Sequence, residues 1–514
     1  MVEGPRDPAA VTQHPLFCRN QDAPRTYTQV MLCFPIHGNP LFAMKILQSA
    51  VAFLRANYPL FSARLGPDLG AGPSRAGRLY LSTSPRYALP FFSNYHPDKS
   101  YERLRSTGFA AADLTGLFSH SAKEVEALVK SCTEKPEPDD KPGQLFPVAL
   151  VHGVALDKGL LIRSLVHHAL FDGHMRSHFI DCLAAATRGE TLLKSPTQTS
   201  FPFHYDHDQS FEKRLSACPE LVLLPRPMPS PRASNTFHGG YPHELIPKTS
   251  KVFVLSEAKN TDKAPLLSTY ICIAALTFAH AVRARLRGEG FQYLPQPAHP
   301  PTAILRHEVD FRRRAFAPQH LAETYFGNAT VSVFTRVAQS GLLAAAGSAG
   351  RLGGVAFPLE DQADPDGSWK AAHLAALVRE IKRSLDEVDE AYVRARLAVA
   401  ETVGDPRRLG LDYDPRQPQV LGFNSWRYTG GSEAWGFPSS RSSSSSSGST
   451  GEQGQGQRPE AFRVARGYSM HNALILPQRH GSRDQEILVS LSQVAMGELL
   501  EDAGWMKWVS ETRD

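Results

Sequence analysis

The chain has 514 residues, 42% of them hydrophobic and 21% charged, which is ample for a large core and for more than one domain. A net charge of +5 is small for this length and argues against a dedicated nucleic-acid surface, although it leaves room for a local basic patch. No apolar run approaches the ~20 residues that span a bilayer, so no membrane segment is expected. The start, MVEGPRDPAAVTQHP, is too polar for a signal peptide. Cys18, Cys33, Cys132, Cys182, Cys218 and Cys272 form no CxxC pair and read as buried thiols of a reducing compartment. The expectation is a soluble, cytoplasmic monomer.

In chain order, residues 1–25 read as a loosely held arm. TYTQVMLCFP (26–35) suits a strand. Asn39-Pro40 supplies an N-cap and a proline at the first helical position, and Met44, Leu47, Val51 and Leu54 mark the helix's apolar face. Pro59 stops it. Arg78–Thr83 suits a strand and Lys123–Lys130 a short surface helix. Val148–Val154 and Leu160–Val166 read as two strands of a hairpin turning at Asp157-Lys158-Gly159.

The hairpin runs into HHALFDG: His167, His168, Asp172 and Gly173. Beyond it, Met175, Phe179, Cys182, Leu183 and Ala186 recur at helical spacing up to a C-cap at Gly189. A histidine at the end of a buried strand is held rigidly yet faces the cleft beyond, where a neutral imidazole can take a proton from a hydroxyl or amine. Asp172 can fold back onto the local backbone or meet a cation. Gly173 lets backbone or substrate approach closely. His167 should point opposite to His168 if the strand persists, so packing is its expected role. By itself a His-x-x-x-Asp is a weak pattern. His174 and His178 are four apart on the helix, but no acidic or cysteine ligand completes a metal set, so no metal is expected.

Nine prolines between Pro196 and Pro247 exclude regular helix and central strand, so residues 206–250 read as a crossover between domains at 1–205 and 251–514. The second half opens with a strand, Lys251–Leu255, and a long helix after a cap at Ser268. HEVDFRRRAF and ETYFGNATVSVF follow. Arg312–Arg314 can be a solvated basic loop, a cross-domain ion-pair partner or a phosphate contact. Leu374–Ala398 reads as one amphipathic helix and VLGFNSW (420–426) as a strand. Residues 439–457, with six consecutive serines, have nothing to bury and read as a disordered insertion. Ala461–Val464 is a strand, Glu486–Leu491 the last strand, and Val494–Val509 the last helix.

HHxxxDG between a buried strand and an amphipathic helix resembles the active-site motif of the CoA-dependent acyltransferases, which include the BAHD enzymes and the condensation domains of peptide synthetases. Further matches lie in Tyr58-Pro59-Leu60-Phe61-Ser62-Ala63-Arg64-Leu65, in Val309-Asp310-Phe311-Arg312-Arg313-Arg314 ("VDxRxR"), and in Tyr325-Phe326-Gly327-Asn328. The strand ending in Ser425-Trp426 and the residues Met496, Leu499 and Asp502 of a terminal M-x-x-L-x-x-D also match. Together they span about Thr26 to Val509 and are most similar to fungal trichothecene O-acetyltransferase-like BAHD proteins. The family's DFGWG is altered: Trp435, Gly436 and Pro438 fit, its aspartate is missing, and Glu433, one residue out of step, is the alternative partner for Arg312.

The resemblance implies two similar chloramphenicol-acetyltransferase-like α/β domains, each a mixed sheet flanked by helices, with an active-site tunnel between them. It implies an acyl-CoA-dependent transferase moving an acyl group, acetyl by default, to a hydroxyl of a hydrophobic small molecule. His168 would be the general base. Asp172 would be structural, turned towards an arginine, with Gly173 keeping the passage open and Asn424 and Trp426 near the oxyanion. Acyl-CoA is then a co-substrate, and no cofactor is bound. The alternatives are an N-acyltransferase or free-standing condensation enzyme, and a degenerate homologue that binds CoA or a metabolite without turnover.

Overall fold

The computed structural model describes residues 11–68, 77–118, 145–190, 197–225, 227, 245–256, 268–290, 292–293, 302–315, 324–347, 351–352, 355–356, 368–430, 433–438, 456–464, 471–479 and 481–514. Two mixed sheets dominate. The first has five strands: Ala461–Val464, Tyr27–Pro35, Gly159–His167, Ala149–Asp157 and Phe91–Ser100, in that order. Its pairs are antiparallel except the last, which is parallel. The second has seven: Thr330–Ala338, Thr302–Asp310, Val420–Ser425, Asn472–Ile475, Gln485–Ser492, Lys248–Leu255 and Val509–Arg513. Val420–Ser425 runs parallel to both its neighbours, and the other pairs are antiparallel. A four-stranded sheet, Thr12–Pro15, Leu79–Thr83, Arg64–Pro67 and Phe146–Pro147, adjoins the first.

Period-two alternation decides which core each residue joins. On the first sheet Val30, Leu32, Phe34, Leu160, Ile162 and Val166 face the helices Pro40–Asn57 and Gly173–Thr187. On the second, Phe253, Ile475, Ile487 and Val489 pack with the helix Thr269–Gly288. Their neighbours Val252, Leu474 and Leu488 enter the first core instead. The first core is thus closed on one side by the second sheet, and the two halves share one apolar seam.

Local chemistry explains most elements. Asn39 Oδ1 accepts the Leu41 N–H at 2.9 Å with Pro40 at the first helical position, as expected. The hairpin turns on Lys158 (φ +58°) rather than on glycine. Gly159 is needed for another reason: a Cβ there would stand 2.2 Å from the Tyr101 ring.

Several sequence expectations change. Residues 11–25 are not a loose arm, because Leu16, Phe17 and Cys18 are buried and Thr12–Pro15 pairs with Leu79–Thr83. Residues 206–250 contain the helix Phe211–Ser216 and the strand Leu221–Leu223, paired antiparallel with Leu409–Leu411, and the second sheet begins inside this stretch at Lys248. Ala461–Val464, placed by sequence in the second domain, adds to the exposed edge of Tyr27–Pro35, where an unpaired row of backbone groups would otherwise remain. Ser268 stands at its helix N-terminus without a side-chain cap. Leu374–Ala398 divides into Ser368–Asp386 and Glu390–Thr402, since Asp389 caps a new start by accepting the Tyr392 N–H at 2.8 Å. The last helix likewise ends at Glu501. Asp502 caps Ala503–Met506, and Val509–Arg513, not the 485–492 strand, is the final strand. Asp502 also meets His280 Nδ1 at 2.7 Å and pairs with Arg283, which explains its place after Met496 and Leu499. The expected helix 123–130, Cys132, residues 228–244 of the crossover and residues 439–455 of the serine-rich insertion lie outside the described residues. Gln457, assigned to that insertion, is paired with Trp435 through two backbone hydrogen bonds of 2.7 and 2.8 Å. Cys18, Cys33, Cys182 and Cys218 are buried free thiols, and Cys272 is a half-buried one.

Candidate active site

The HHALFDG turn sits where the first sheet ends and the two halves meet. His167 closes the strand. Its N–H donates to Val148 O at 2.8 Å, and its O accepts from the Leu170 and Phe171 amides at 3.0 Å each. The His167 ring is fully buried edge-on to Tyr27 (5.0 Å between centroids), and its Nδ1 accepts the Ala169 N–H at 3.2 Å. The packing role expected of it is what this geometry supports. His168 is the first residue past the strand and is half-buried. Its backbone is locked: the N–H donates to Thr26 O at 2.7 Å and the O accepts from Asn328 Nδ2 at 2.8 Å.

Asp172 is 2% exposed and opens the helix Gly173–Thr187. Its Oδ1 accepts the Met175 N–H at 3.0 Å, an N-cap at the positive end of the helix. Its Oδ2 accepts from Arg312 Nη1 at 2.7 Å and from the Ala329 N–H at 2.8 Å. Burial pushes the carboxyl up, but the Arg312 guanidinium outweighs it and holds Asp172 below the usual carboxylate range. Arg312, also buried, is pulled down by burial and raised further by Asp172 and Asp310, so the two partners agree that both stay charged. It completes its fork on Asp310 (3.1 Å) and on Gly327 O. Of the three roles open to Arg312, cross-domain ion pairing is the one observed. Glu433, the alternative partner, lies instead by Asp181 and Arg188. Asp172, four residues past His168, fills the place sought in the altered DFGWG.

Asn328 and Asn20 complete the clamp. Asn328 Nδ2 also donates to Ala169 O at 2.6 Å, and its N–H donates to Asn20 Oδ1 at 2.7 Å. A Cβ on Gly327 would stand 2.5 Å from the Tyr325 hydroxyl and 2.6 Å from Asn20 Oδ1, so this approach requires glycine. Tyr325 faces the second core and Phe326 the first, where it packs on Phe171 at 5.3 Å. The YFGN segment therefore pins one half to the HHALFDG turn of the other. The motif was visible in the sequence and its task was not; nothing local marks Asn20, three hundred residues away.

Gly173 is exposed, and a Cβ there would meet nothing closer than Arg176 Nη2 at 3.9 Å, so space at this position is open rather than demanded by packing. Asn424 is half-buried at the end of Val420–Ser425, with its Oδ1 accepting the Ser425 N–H at 2.7 Å, which leaves its amide nitrogen as donor. Trp426 is buried, and the Arg176 guanidinium lies 3.5 Å from the centre of its ring. Trp426 thus braces the helix that Asp172 begins, a contact without a sequence signature. At the other end of that helix, a Cβ on Gly436 would meet Thr187 O at 2.0 Å, while the Gly436 N–H donates to Thr187 Oγ1 at 2.9 Å. The retained Trp-Gly of the altered motif is a packing device there.

His174 Nδ1 lies 3.9 Å from Asp310 Oδ2, and burial pulls His178 down to about 4. Among the described residues no group of three His, Cys, Asp or Glu side chains is placed to hold a metal ion, and no helix is long and apolar enough to cross a membrane.

Asp181, on the same helix, is pushed up to about 7 by burial and then by Glu433, against a lowering bond from Ser177. A raised folded value makes the ionised carboxylate a cost that is small at pH 4, grows as pH rises from 4 to about 7, and is constant above that. Asp181→Asn is therefore expected to stabilise the protein by about 1–2 kcal/mol at pH 8 and by almost nothing at pH 4.5. Thermal melting across that range checks it, and equal gains at both ends would exclude this cause.

No protein-family model and no curated protein sequence matches the chain. Solved structures do. TRI101 of F. sporotrichioides, complexed with coenzyme A and T-2, matches with a TM-score of 0.60 and 15% identity over 97% of this chain and 99% of that one. TRI101 of F. graminearum, complexed with ethyl coenzyme A, matches at 0.62 with 14% identity, covering 98% and 99%. Vinorine synthase matches at 0.54 with 13% identity, covering 97% and 98%. The chain shares the fold of these proteins over nearly its whole length, as the motifs led one to expect.

Proposed function

We propose that this fold carries an acyl-CoA-dependent transferase in which His168 is the general base. The observation that bears most weight is the division of labour in the turn: the backbone of His168 is fixed from both halves of the molecule, while Asp172 faces Arg312 and not the imidazole. The TRI101 structures with coenzyme A supply the class of donor. T-2 and deoxynivalenol, present in such complexes, support a small molecule as the second substrate, and a hydroxyl on it is our reading of the acceptor.

His168 takes the proton of the acceptor hydroxyl as its oxygen attacks the thioester carbonyl. The tetrahedral oxyanion needs donors that strengthen as charge develops, and Asn424 Nδ2 is the side-chain donor nominated for it. Collapse breaks the C–S bond, and the imidazolium returns its proton to the CoA thiolate. Ester and CoA leave, and His168 is neutral again. Asp172, Arg312 and Asn328 position the turn and touch no reacting atom.

Thiol release from acetyl-CoA over a panel of hydrophobic alcohols and amines tests this. Acceptor-dependent release supports transfer, and the better class of acceptor separates O- from N-acylation. CoA binding without release on any acceptor would favour a homologue that binds and does not turn over.

A further inference from the structure

The face of the second sheet that looks towards the first half carries charges that the acyl-transfer steps above leave unused. In the strand Thr302–Asp310, Ala303, Leu305 and Val309 join the second core, so Arg306, Glu308 and Asp310 take the opposite face. On that same face Leu474, Leu488 and Val252 meet the first core. Asp310 closes the row against the start of the helix Gly173–Thr187, bonded to Arg312 at 3.1 Å and 3.9 Å from His174 Nδ1. Glu308 Oε1 accepts from Ser332 Oγ, directly across on the edge strand, at 3.0 Å. It lies 3.8 Å from Arg306 Nε, wider than a hydrogen bond. Arg306 Nη1 donates to the Tyr413 hydroxyl at 2.6 Å.

The row lies beside the residue nominated for the oxyanion. Arg306 is paired across the strands with Gly422, and a Cβ on Gly422 would run into Asn472 Oδ1 and stand 3.5 Å from Arg306 Nη2. The next residue of that strand on this face is Asn424, roughly 7 Å along at ~3.3 Å per residue. Exposure separates this pair from the structural ones. The Arg306 and Glu308 side chains are 16% and 15% exposed, against 1% and 2% for Arg312 and Asp172, so solvent reaches the first pair and not the second. The two charges of the pair cancel, so a carboxylate or an ammonium gains little from approaching it. A hydroxyl suits both partners, donating to Glu308 and accepting from Arg306, each bond assisted by a charge.

We propose that Arg306 and Glu308 read a second hydroxyl on the acyl acceptor, so that the site selects neutral polyhydroxylated molecules over mono-alcohols. This rests on the acyl-transfer reading above and names the substrate class for it.

Calorimetric binding of 1,8-octanediol, 1-octanol, 8-amino-1-octanol and 8-hydroxyoctanoate at neutral pH, without acetyl-CoA, tests the proposal. Wild type is expected to bind the diol at least fivefold more tightly than 1-octanol or either charged probe. Each single substitution leaves one charge unbalanced. Arg306→Met should therefore bind the amino alcohol best, and Glu308→Gln the hydroxy acid best, with the diol's advantage reduced several-fold in both. Equal affinity of wild type for the diol and 1-octanol overturns the proposal. So does a charge preference that fails to move in opposite directions in the two variants. Thiol release from acetyl-CoA tells the two readings apart. Release on 1-octanol as efficient as on the diol, without a binding preference, leaves acyl transfer standing and removes the second-hydroxyl site. Diol-selective binding without release on any acceptor keeps that site and removes acyl transfer.

Discussion

His168→Ala is expected to lower acceptor-dependent thiol release by about 10²–10⁴-fold, the usual worth of a positioned general base, while changing stability by less than about 1 kcal/mol. The two halves of this expectation have separate physical origins. Stability is little changed because the backbone bonds of residue 168, its N–H to Thr26 O and its C=O to Asn328 Nδ2, are kept by alanine. Activity falls because the acceptor hydroxyl must lose a proton as it attacks, and the other groups of the turn are committed: His167 is buried against Tyr27, and Asp172 is engaged three ways. Release that persists within a few-fold of wild type, in a variant of unchanged melting temperature, would exclude His168 as the base. A large loss of both activity and stability would instead assign the imbalance to the fold.

The second large effect is expected at Arg312. Arg312→Met should destabilise the protein by about 3–5 kcal/mol, because the remaining Asp172 carboxylate is buried with its counter-charge gone. Asp172→Asn keeps the shape and the N-cap and should cost less. The double variant Asp172→Asn/Arg312→Met should recover part of the loss of Arg312→Met alone, since neither charge is then stranded. The pH dependence has a definite sign. Asp172 titrates below its ordinary value in the folded protein, so the stability it supplies is fully present above the unfolded value of ~3.9 and is lost as pH falls through that value towards the folded one. The difference between wild type and Arg312→Met in chemical denaturation should therefore be largest at pH 8 and shrink as pH falls, first as the stranded Asp172 of the variant takes up a proton above its ordinary value and then, below about pH 4, as wild type loses the ion pair. A constant difference down to pH 3 would mean that Arg312 acts by packing alone. The same variant should lose acyl transfer more steeply than stability at moderate temperature, because Asp172 and the Ala329 amide join the start of the site helix to the other half.

Much of this architecture is written in short-range chemistry. Alternation from Leu160 to Val166, the change to helical spacing at Met175 and the Asn39-Pro40 start are local rules, and the elements they specify are present in the structure. The motif HHALFDG likewise marks its own strand-to-helix turn, since a buried strand end followed by Asp172 as N-cap needs no distant partner. What the sequence could not show is which partners meet. Leu374–Ala398 reads as one helix by period, yet Asp389 caps a second one. Ala461–Val464 is a strand by composition, and only the free edge of Tyr27–Pro35 makes it part of the other half. Glu433 and Asp172 are equivalent as partners for Arg312 on the page; distance chose Asp172.

The sequence by itself thus determined the strand-to-helix turn of HHALFDG and most of the strands and helices around it, because propensity, period and capping act within a few residues. Tertiary structure alone decided that Arg312, Asn328 and Asn20 converge on that turn from distant positions. Pairing of buried charges and amides depends on which surfaces the fold brings within about 3 Å, and no local rule encodes that distance.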